Sequence, residues 1–251
     1  MLLVQRRNSY AYGDFILGKY EPADNDRLLV LFNGMTVDEK AIIATMNFNN
    51  MWYHMWIGIQ PRWAVLSTCN HRFFMTFHGD RGKTRLLNLI SSSTNSSRIW
   101  STPKGRKECG ESLLQCAVRE FTEETLIPKD GNYQVLPQLE HKYSHVADNI
   151  CYAVITYVGL TYTSGDATTQ PIHNPRVDAT NHWQIYEVSD VRWMTLEDMK
   201  HTAGAERIYP QAKIIFKKFR GFQKSMYRFK GEKNNLVEDA LGGASDEELD
   251  A

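Results

Sequence analysis

The chain has 251 residues, 42% hydrophobic, 12% aromatic and 23% charged, with 16 Gly and 8 Pro; this excludes collagen-like, wholly disordered and disulfide-rich secreted classes and allows a full core. Net charge is zero, but residues 231–251 hold seven acids against Lys233, a charge of −6, leaving +6 on residues 1–230 (28 bases, 22 acids). No apolar run approaches the ~20 residues of a membrane span, and the opening Met1-Leu2-Leu3-Val4-Gln5-Arg6-Arg7 sets its charges after the apolar residues, the reverse of a signal peptide, so a soluble intracellular protein is expected.

Leu2-Leu3-Val4 suits a short strand, and from Ser9 to about Asn95 the pattern is mainly helical. Thr36-Val37-Asp38-Glu39 reads as a capping box, which predicts a helix starting there. Phe48, Met51, Trp52, Met55, Trp56 and Ile59 recur at three- and four-residue steps and predict a second amphipathic helix with an aromatic face, either a core stripe or a base-stacking surface. Cys69, Cys109, Cys116 and Cys151 form no C-x-x-C pair and read as buried or idle thiols. Arg62, Arg72, Arg81, Lys83 and Arg85, interleaved with Trp63, Phe73, Phe74 and Phe77, suit single-stranded RNA or an ordinary surface of mixed charge. The polar run Ser91–Ser97 closes this region. Beyond it come β-rich runs at 133–136, 150–160 and 183–193, and a last helix at about 210–229 with Ile214, Ile215, Phe219 and Phe222 set against Lys213, Lys217, Lys218 and Arg220. Residues 207–230 contain no acid, and the apolar seam with a basic outer face reads either as a docked, solvated helix or as a face that binds phosphate. The expected organisation is an α/β body of residues 1–12 and 96–230, a helical insertion at 13–95 and a disordered acidic tail at 231–251.

Residues 105–127 carry the chemistry: Gly105, Glu111, Arg119, Glu120, Phe121, Glu123, Glu124 and Ile127 stand at fixed spacing. On a helix from Ser112 to Thr125, advancing ~100° per residue, Glu120, Glu123 and Glu124 fall within about 100° of one another, beside an apolar face of Leu114, Ala117, Val118 and Phe121. Like charges at these spacings destabilise a helix by a few tenths of a kcal/mol per pair. A positive partner is needed, and a hard divalent cation with oxygen ligands is the natural one. Glu111 and Arg119 can pair and brace the preceding loop onto the helix.

The full pattern resembles the Nudix box, Gly-x5-Glu-x7-Arg-Glu-U-x-Glu-Glu-x-Gly-U with U apolar, departing only at Leu126, where the family has Gly. Leu in the left-handed exit that Gly provides costs about 1 kcal/mol. The resemblance implies an α/β/α sandwich with a mixed sheet, and Mg²⁺- or Mn²⁺-dependent hydrolysis of a nucleoside diphosphate linked to another moiety. It implies metal binding by Glu120, Glu123 and Glu124 with a carbonyl at Lys104 or Gly105, one glutamate doubling as general base. Glu187 stands where many Nudix enzymes keep a further ligand or base; Glu197 and Asp198 read as helix N-terminal acids, and His141, His145 and His173 lie where substrate loops run.

Trp100-Ser-Thr-Pro103-Lys104-Gly105-Arg106 is similar to the segment before the box in mRNA-decapping and diadenosine tetraphosphate-hydrolysing Nudix enzymes, with Lys104 and Arg106 placed to meet phosphates. The stretches at 4–16, 32–36 and 50–57 resemble the decapping Nudix enzymes of large DNA viruses, whose chains carry a further strand before the point where the likeness starts. That likeness implies capped mRNA as substrate, release of 7-methylguanosine diphosphate, an RNA-binding insertion and action in the host cytoplasm. A small-molecule pyrophosphatase acting on diphosphoinositol polyphosphates or dinucleoside polyphosphates is the alternative enzyme. A catalytically idle RNA-binding protein is the alternative of another class, against which the intact glutamate set argues.

Overall fold

The computed structural model describes residues 1–57, 62–147, 150–161 and 175–241, with the backbone alone at 145, 147 and 226–241. The expectations at Ile59, His173, the side chain of His145 and the tail beyond residue 241 lie outside the described residues. The chain is mixed α/β, in two compact units: Met1–Val135 with Gly159–Tyr209, and Leu136–Val158 with the described residues from Pro210.

The first unit opens with strand β1 (Leu2–Arg6), which runs antiparallel to β2 (Trp100–Ser101) and β5 (Val188–Trp193) in the order β2-β1-β5. Val4 faces Ser101 on one side and Val191 on the other, and a bulge interrupts β1·β5 between Gln5 and Arg6. The mixed sheet expected from sequence is displayed, among the described residues, only as these two antiparallel pairings and a separate pair formed by β3 (Tyr133–Ala147) and β4 (Ile150–Thr161). Leu2, Val4, Ile127, Tyr133, Val188 and Val191 form a small buried cluster, with Phe121, Val135, Val177 and Trp193 packed on it.

Between β1 and β2 the chain forms α1 (Tyr10–Ile16), α2 (Asn25–Asn33), α3 (Val37–Thr45), α4 (Phe48–Met55), α5 (Trp63–Phe77) and α6 (Gly79–Ser92). Thr36 caps α3 through the predicted box, Asn47 caps α4, and Phe48, Met51, Trp52 and Met55 are buried. The aromatic face of α4 is therefore core, with α4 ending at Met55. Phe15 is its centre, its ring 5.3 Å from Phe32 and 5.4 Å from Tyr20. The buried Glu39 closes the start of α1, accepting from Ser9 N at 2.6 Å and Ser9 Oγ at 2.8 Å while also taking the Thr36 amide at 2.8 Å.

After β2 come α7 (Leu113–Thr125), β3, β4, α8 (His182–Glu187), β5, α9 (Leu196–His201) and α10 (Tyr209–Leu241). Two expectations are corrected. Residues 183–187, read as part of a β run, form α8, because the Asn181 side chain caps it by accepting from Gln184 N and Gln184 is buried. The last helix runs to Leu241, so residues 231–241 of the expected disordered tail are helical; once a helix is nucleated, extension through good formers such as Glu232, Lys233, Leu236 and Ala240 costs little. Thr195 caps α9 with Asp198 completing its box, as read for these acids. Cys69 and Cys116 are buried free thiols, Cys109 and Cys151 exposed ones.

Candidate active site

The site is built on α7. Ser112 caps the helix in a box with Gln115, and the next residues present Arg119, Glu120, Glu123 and Glu124 in the last two turns. The Arg119 guanidinium forks onto Glu111, Nε to Oε2 at 3.2 Å and Nη2 to Oε1 at 3.0 Å, so the predicted brace is present. Nη2 also donates to the Arg106 carbonyl at 3.1 Å, and Nη1 donates to Glu120 at 2.7 Å and Glu123 at 3.0 Å. Glu111 further accepts from the Glu108 amide at 2.6 Å. The paired guanidinium and this amide hold the Glu111 carboxyl down at about 2, and the carboxylates in turn push Arg119 up.

The positive partner that the acidic face demanded is thus, between Glu120 and Glu123, an arginine of the same helix. Glu120 and Glu124 are buried, and burial pushes both carboxyls up, Glu124 to about 8; the charge of Glu187 adds to both rises, while Arg119 opposes it at Glu120 and Lys104 at Glu124. Glu124 Oε2 accepts from the Lys104 amide at 3.1 Å. Gly105 is required here by close approach: a Cβ at this position would lie 2.0 Å from the Glu120 carboxylate. The loop backbone at 104–105 therefore presses on the acidic face, and an all-oxygen set of buried and half-neutralised carboxylates with a neighbouring backbone fits a hard divalent cation. Among the described residues no three His, Cys, Asp or Glu side chains converge as a finished metal cluster, and Arg119 holds the inner oxygens of two of the candidates.

Leu126, the departure from the box, takes the left-handed conformation itself, with φ 58° and ψ 19°, alone among the described non-Gly residues. Its amide donates to Thr122 O at 2.8 Å, and Ile127 N donates to Thr125 Oγ1 at 3.2 Å. The last turn is held further by Gln184, 1% exposed, whose Nε2 donates to Glu124 O at 3.0 Å and Arg176 O at 3.1 Å while its Oε1 accepts from Asp178 N at 2.7 Å. Gln184 was not singled out from sequence; the Asn181 cap three residues before it was the available signal. The same helix bears Glu187, whose charge acts on Glu120 and Glu124. It is tied to the end of β1 by the next residue, Arg7, whose amide donates to Glu187 O at 2.8 Å and whose Nη1 donates to Ile185 O at 2.9 Å, and to the C-cap of α4 by Tyr186, stacked on Trp56 at 5.5 Å.

The remaining candidates divide. Lys104 and Arg106 are exposed beside the box, Lys104 Nζ donating to Ser101 Oγ at 3.2 Å. Lys83 is exposed on α6, but Arg85 is engaged, donating to Asn25 Oδ1 at 2.7 Å and Pro22 O at 2.6 Å, and Arg72 donates to the Tyr20 carbonyl. Of the interleaved aromatics Phe73 and Phe77 pack in the core, while Trp63 and Phe74 are exposed. In the second unit, Lys213, Lys217, Lys218 and Arg220 are exposed on α10, Lys218 Nζ donating to Glu140 O at 3.3 Å. His141 lies on β3, its ring 5.7 Å from that of Tyr143.

Comparison with known proteins places this site in context. A NUDIX domain model matches residues 73–212. The chain is 32% identical over 206 residues to the "mRNA-decapping protein g5R" of African swine fever virus (isolate Warthog/Namibia/Wart80/1980), covering 79% of each chain. It is 24% identical over 223 residues to a protein of Acanthamoeba polyphaga mimivirus, covering 78% of this chain and 58% of that one. Among solved structures, a C. elegans Ap4A hydrolase matches 51% of this chain and 78% of its own at 20% identity, with a TM-score of 0.38.

Proposed function

The chain belongs to the Nudix family, and on that premise we propose that it is an mRNA-decapping pyrophosphohydrolase, cleaving the cap pyrophosphate of capped RNA to release 7-methylguanosine diphosphate and 5′-monophosphate RNA. The observation that carries this reading is the 32% identity, over 79% of both chains, to a viral protein described as mRNA-decapping.

Glu120, Glu123 and Glu124, the carbonyl of Gly105 and Glu187 are the groups that would hold Mg²⁺ or Mn²⁺. Such a cation, when bound, neutralises pyrophosphate oxygens and eases deprotonation of the attacking water. The protein's own part is positional. Arg119 braces the loop through Glu111 and keeps Glu120 and Glu123 oriented. The Lys104 amide fixes one oxygen of Glu124. Gln184 locks the end of α7 to the helix that bears Glu187. Water attacks phosphorus, the bond to the bridging oxygen breaks, and a carboxylate of the Glu120, Glu124 and Glu187 set takes the water's proton. Lys104 and Arg106 stand beside the box to meet the substrate phosphates.

Within this reading, residues 1–12 and 96–230 are the Nudix α/β/α sandwich and residues 13–95 are an insertion that binds the RNA body, with Lys83, Arg85 and, on α10, Lys213, Lys217, Lys218 and Arg220 as phosphate contacts in the host cytoplasm. The test is a product assay on cap-labelled long RNA, with and without Mg²⁺ or Mn²⁺, beside free cap dinucleotide and a diphosphoinositol polyphosphate. Metal-dependent release of 7-methylguanosine diphosphate from long RNA, with little from free cap, is the expected result. Turnover of the small molecules alone would replace decapping with a small-molecule pyrophosphatase.

A further inference from the structure

Helix α8 offers three aromatic or acidic side chains of distinct fate. Tyr186 is stacked on Trp56, and Glu187 lies near enough to Glu120 and Glu124 to act on their ionisation. Trp183 is 76% exposed, the most exposed large apolar side chain among the described residues, and its indole has no ring or cation partner there. Leaving an indole in water forgoes more apolar burial than leaving any other side chain there.

Trp183 and Glu187 are four residues apart and so share one face of α8, separated by about 6 Å along its axis. Gln184, about 100° around the helix from Trp183, is the residue turned into the end of α7. The indole therefore lies on the face of α8 that carries Glu187, one turn from it. The helix under it is fixed from three directions: Gln184 onto Glu124 O, Tyr186 onto Trp56, and Arg7 onto Ile185 O and Glu187 O. An exposed aromatic on a rigid support, next in sequence to the residue that bonds Glu124 O and one helical turn from Glu187, is an arrangement that can stack a base joined to the pyrophosphate.

We propose that Trp183 is the stacking platform for the 7-methylguanine base of the cap and thereby sets the preference for a methylated cap; the proposal rests on the decapping reading. The methylated base is flat and carries a delocalised positive charge, which an indole face attracts. The carboxylate of Glu187, one turn away, adds complementary charge.

The experiment compares wild type with Trp183→Ala and Trp183→Phe. Calorimetry without metal measures binding of 7-methylguanosine diphosphate and guanosine diphosphate, and steady-state kinetics use RNA with methylated and unmethylated caps. Trp183→Ala should weaken 7-methylguanosine diphosphate binding and raise KM for methylated-cap RNA roughly tenfold, with kcat held within a factor of two and the preference for the methylated base lost. Trp183→Phe should restore most of the affinity. Quenching of tryptophan fluorescence by 7-methylguanosine diphosphate should be strong in the wild type and largely absent in Trp183→Phe. Unchanged affinity and preference in Trp183→Ala, with its melting temperature at the wild-type value, would overturn the role of Trp183. Failure of the wild type to cleave any capped RNA would overturn the decapping reading instead, while the binding and quenching arms still decide whether Trp183 stacks the base.

Discussion

Arg119 and Glu124 show how one helix holds groups of opposite electrostatic character. Glu111, paired with Arg119, has its carboxyl at about 2 in the fold against an ordinary value of 4.5, so the pair's stabilisation is complete above pH 4.5 and is lost as pH falls toward 2. Glu111→Gln should flatten the pH dependence of unfolding in that window, read from urea midpoints at pH 5 and pH 2.5; identical slopes would remove the brace from the stability of the fold. Glu124 has the opposite sign. Burial lifts it to about 8, so in metal-free protein its contribution is intact below pH 4.5 and is lost as pH rises to 8. Glu124→Gln should therefore raise the melting temperature of metal-free protein at pH 8.5 and leave it unchanged at pH 4.5, while abolishing turnover and leaving RNA affinity within about twofold, since the removed charge sits at the reacting phosphate and not along the RNA backbone. Turnover that survives the substitution would sink the assignment of Glu124.

At the scale of elements, α8 is the junction. Its buried Gln184 satisfies two carbonyls, that of Glu124 buried, and one amide, and each buried group left unpaired costs about 1–3 kcal/mol. Gln184→Leu should destabilise the fold by about 2–4 kcal/mol and lower kcat, because the end of α7 that bears Glu124 loses its anchor; denaturant titration beside kinetics checks both. The same bond explains how Leu126 can leave the helix in a left-handed turn without Gly: the carbonyls of the last turn are held by Gln184 and by the amides of the exit. The helix box at Thr36 was legible because a cap is a local exchange of hydrogen bonds. The helix at 182–187 was not, since Trp183 and Ile185 alternate with His182 and Gln184 as in a strand, and the burial of Gln184 that overrides this comes from distant chain.

For the molecule as a whole, charge is divided along the sequence, basic to residue 230 and acidic after it. If α10 contributes phosphate contacts, Lys217→Glu with Lys218→Glu should weaken RNA binding and reduce the slope of log affinity against log salt by about 2, while cleavage of free cap stays as in wild type. An unaltered slope in filter-binding titrations from 50 to 200 mM salt would take this helix out of the RNA interface.

The sequence by itself determined the family, the α7 helix, the Glu111–Arg119 pair and the acidic face, because fixed spacing on a helix translates directly into side-chain geometry. It also determined that Gly105 matters, though not why. Only the tertiary structure decided that the Gly105 backbone lies against Glu120, that Arg119 rather than open solvent lies between Glu120 and Glu123, and that the charge of Glu187 on α8 acts on Glu120 and Glu124. It alone decided which aromatics are core and which are exposed, separating Phe73 and Phe77 from Phe74, and Tyr186 from Trp183. Apart from the Arg119 pairs, which are local to α7, these outcomes depend on contacts between distant residues, 15 positions apart for Gly105 and Glu120 and 130 for Trp56 and Tyr186, and local periodicity carries no information about what a side chain meets across such a separation.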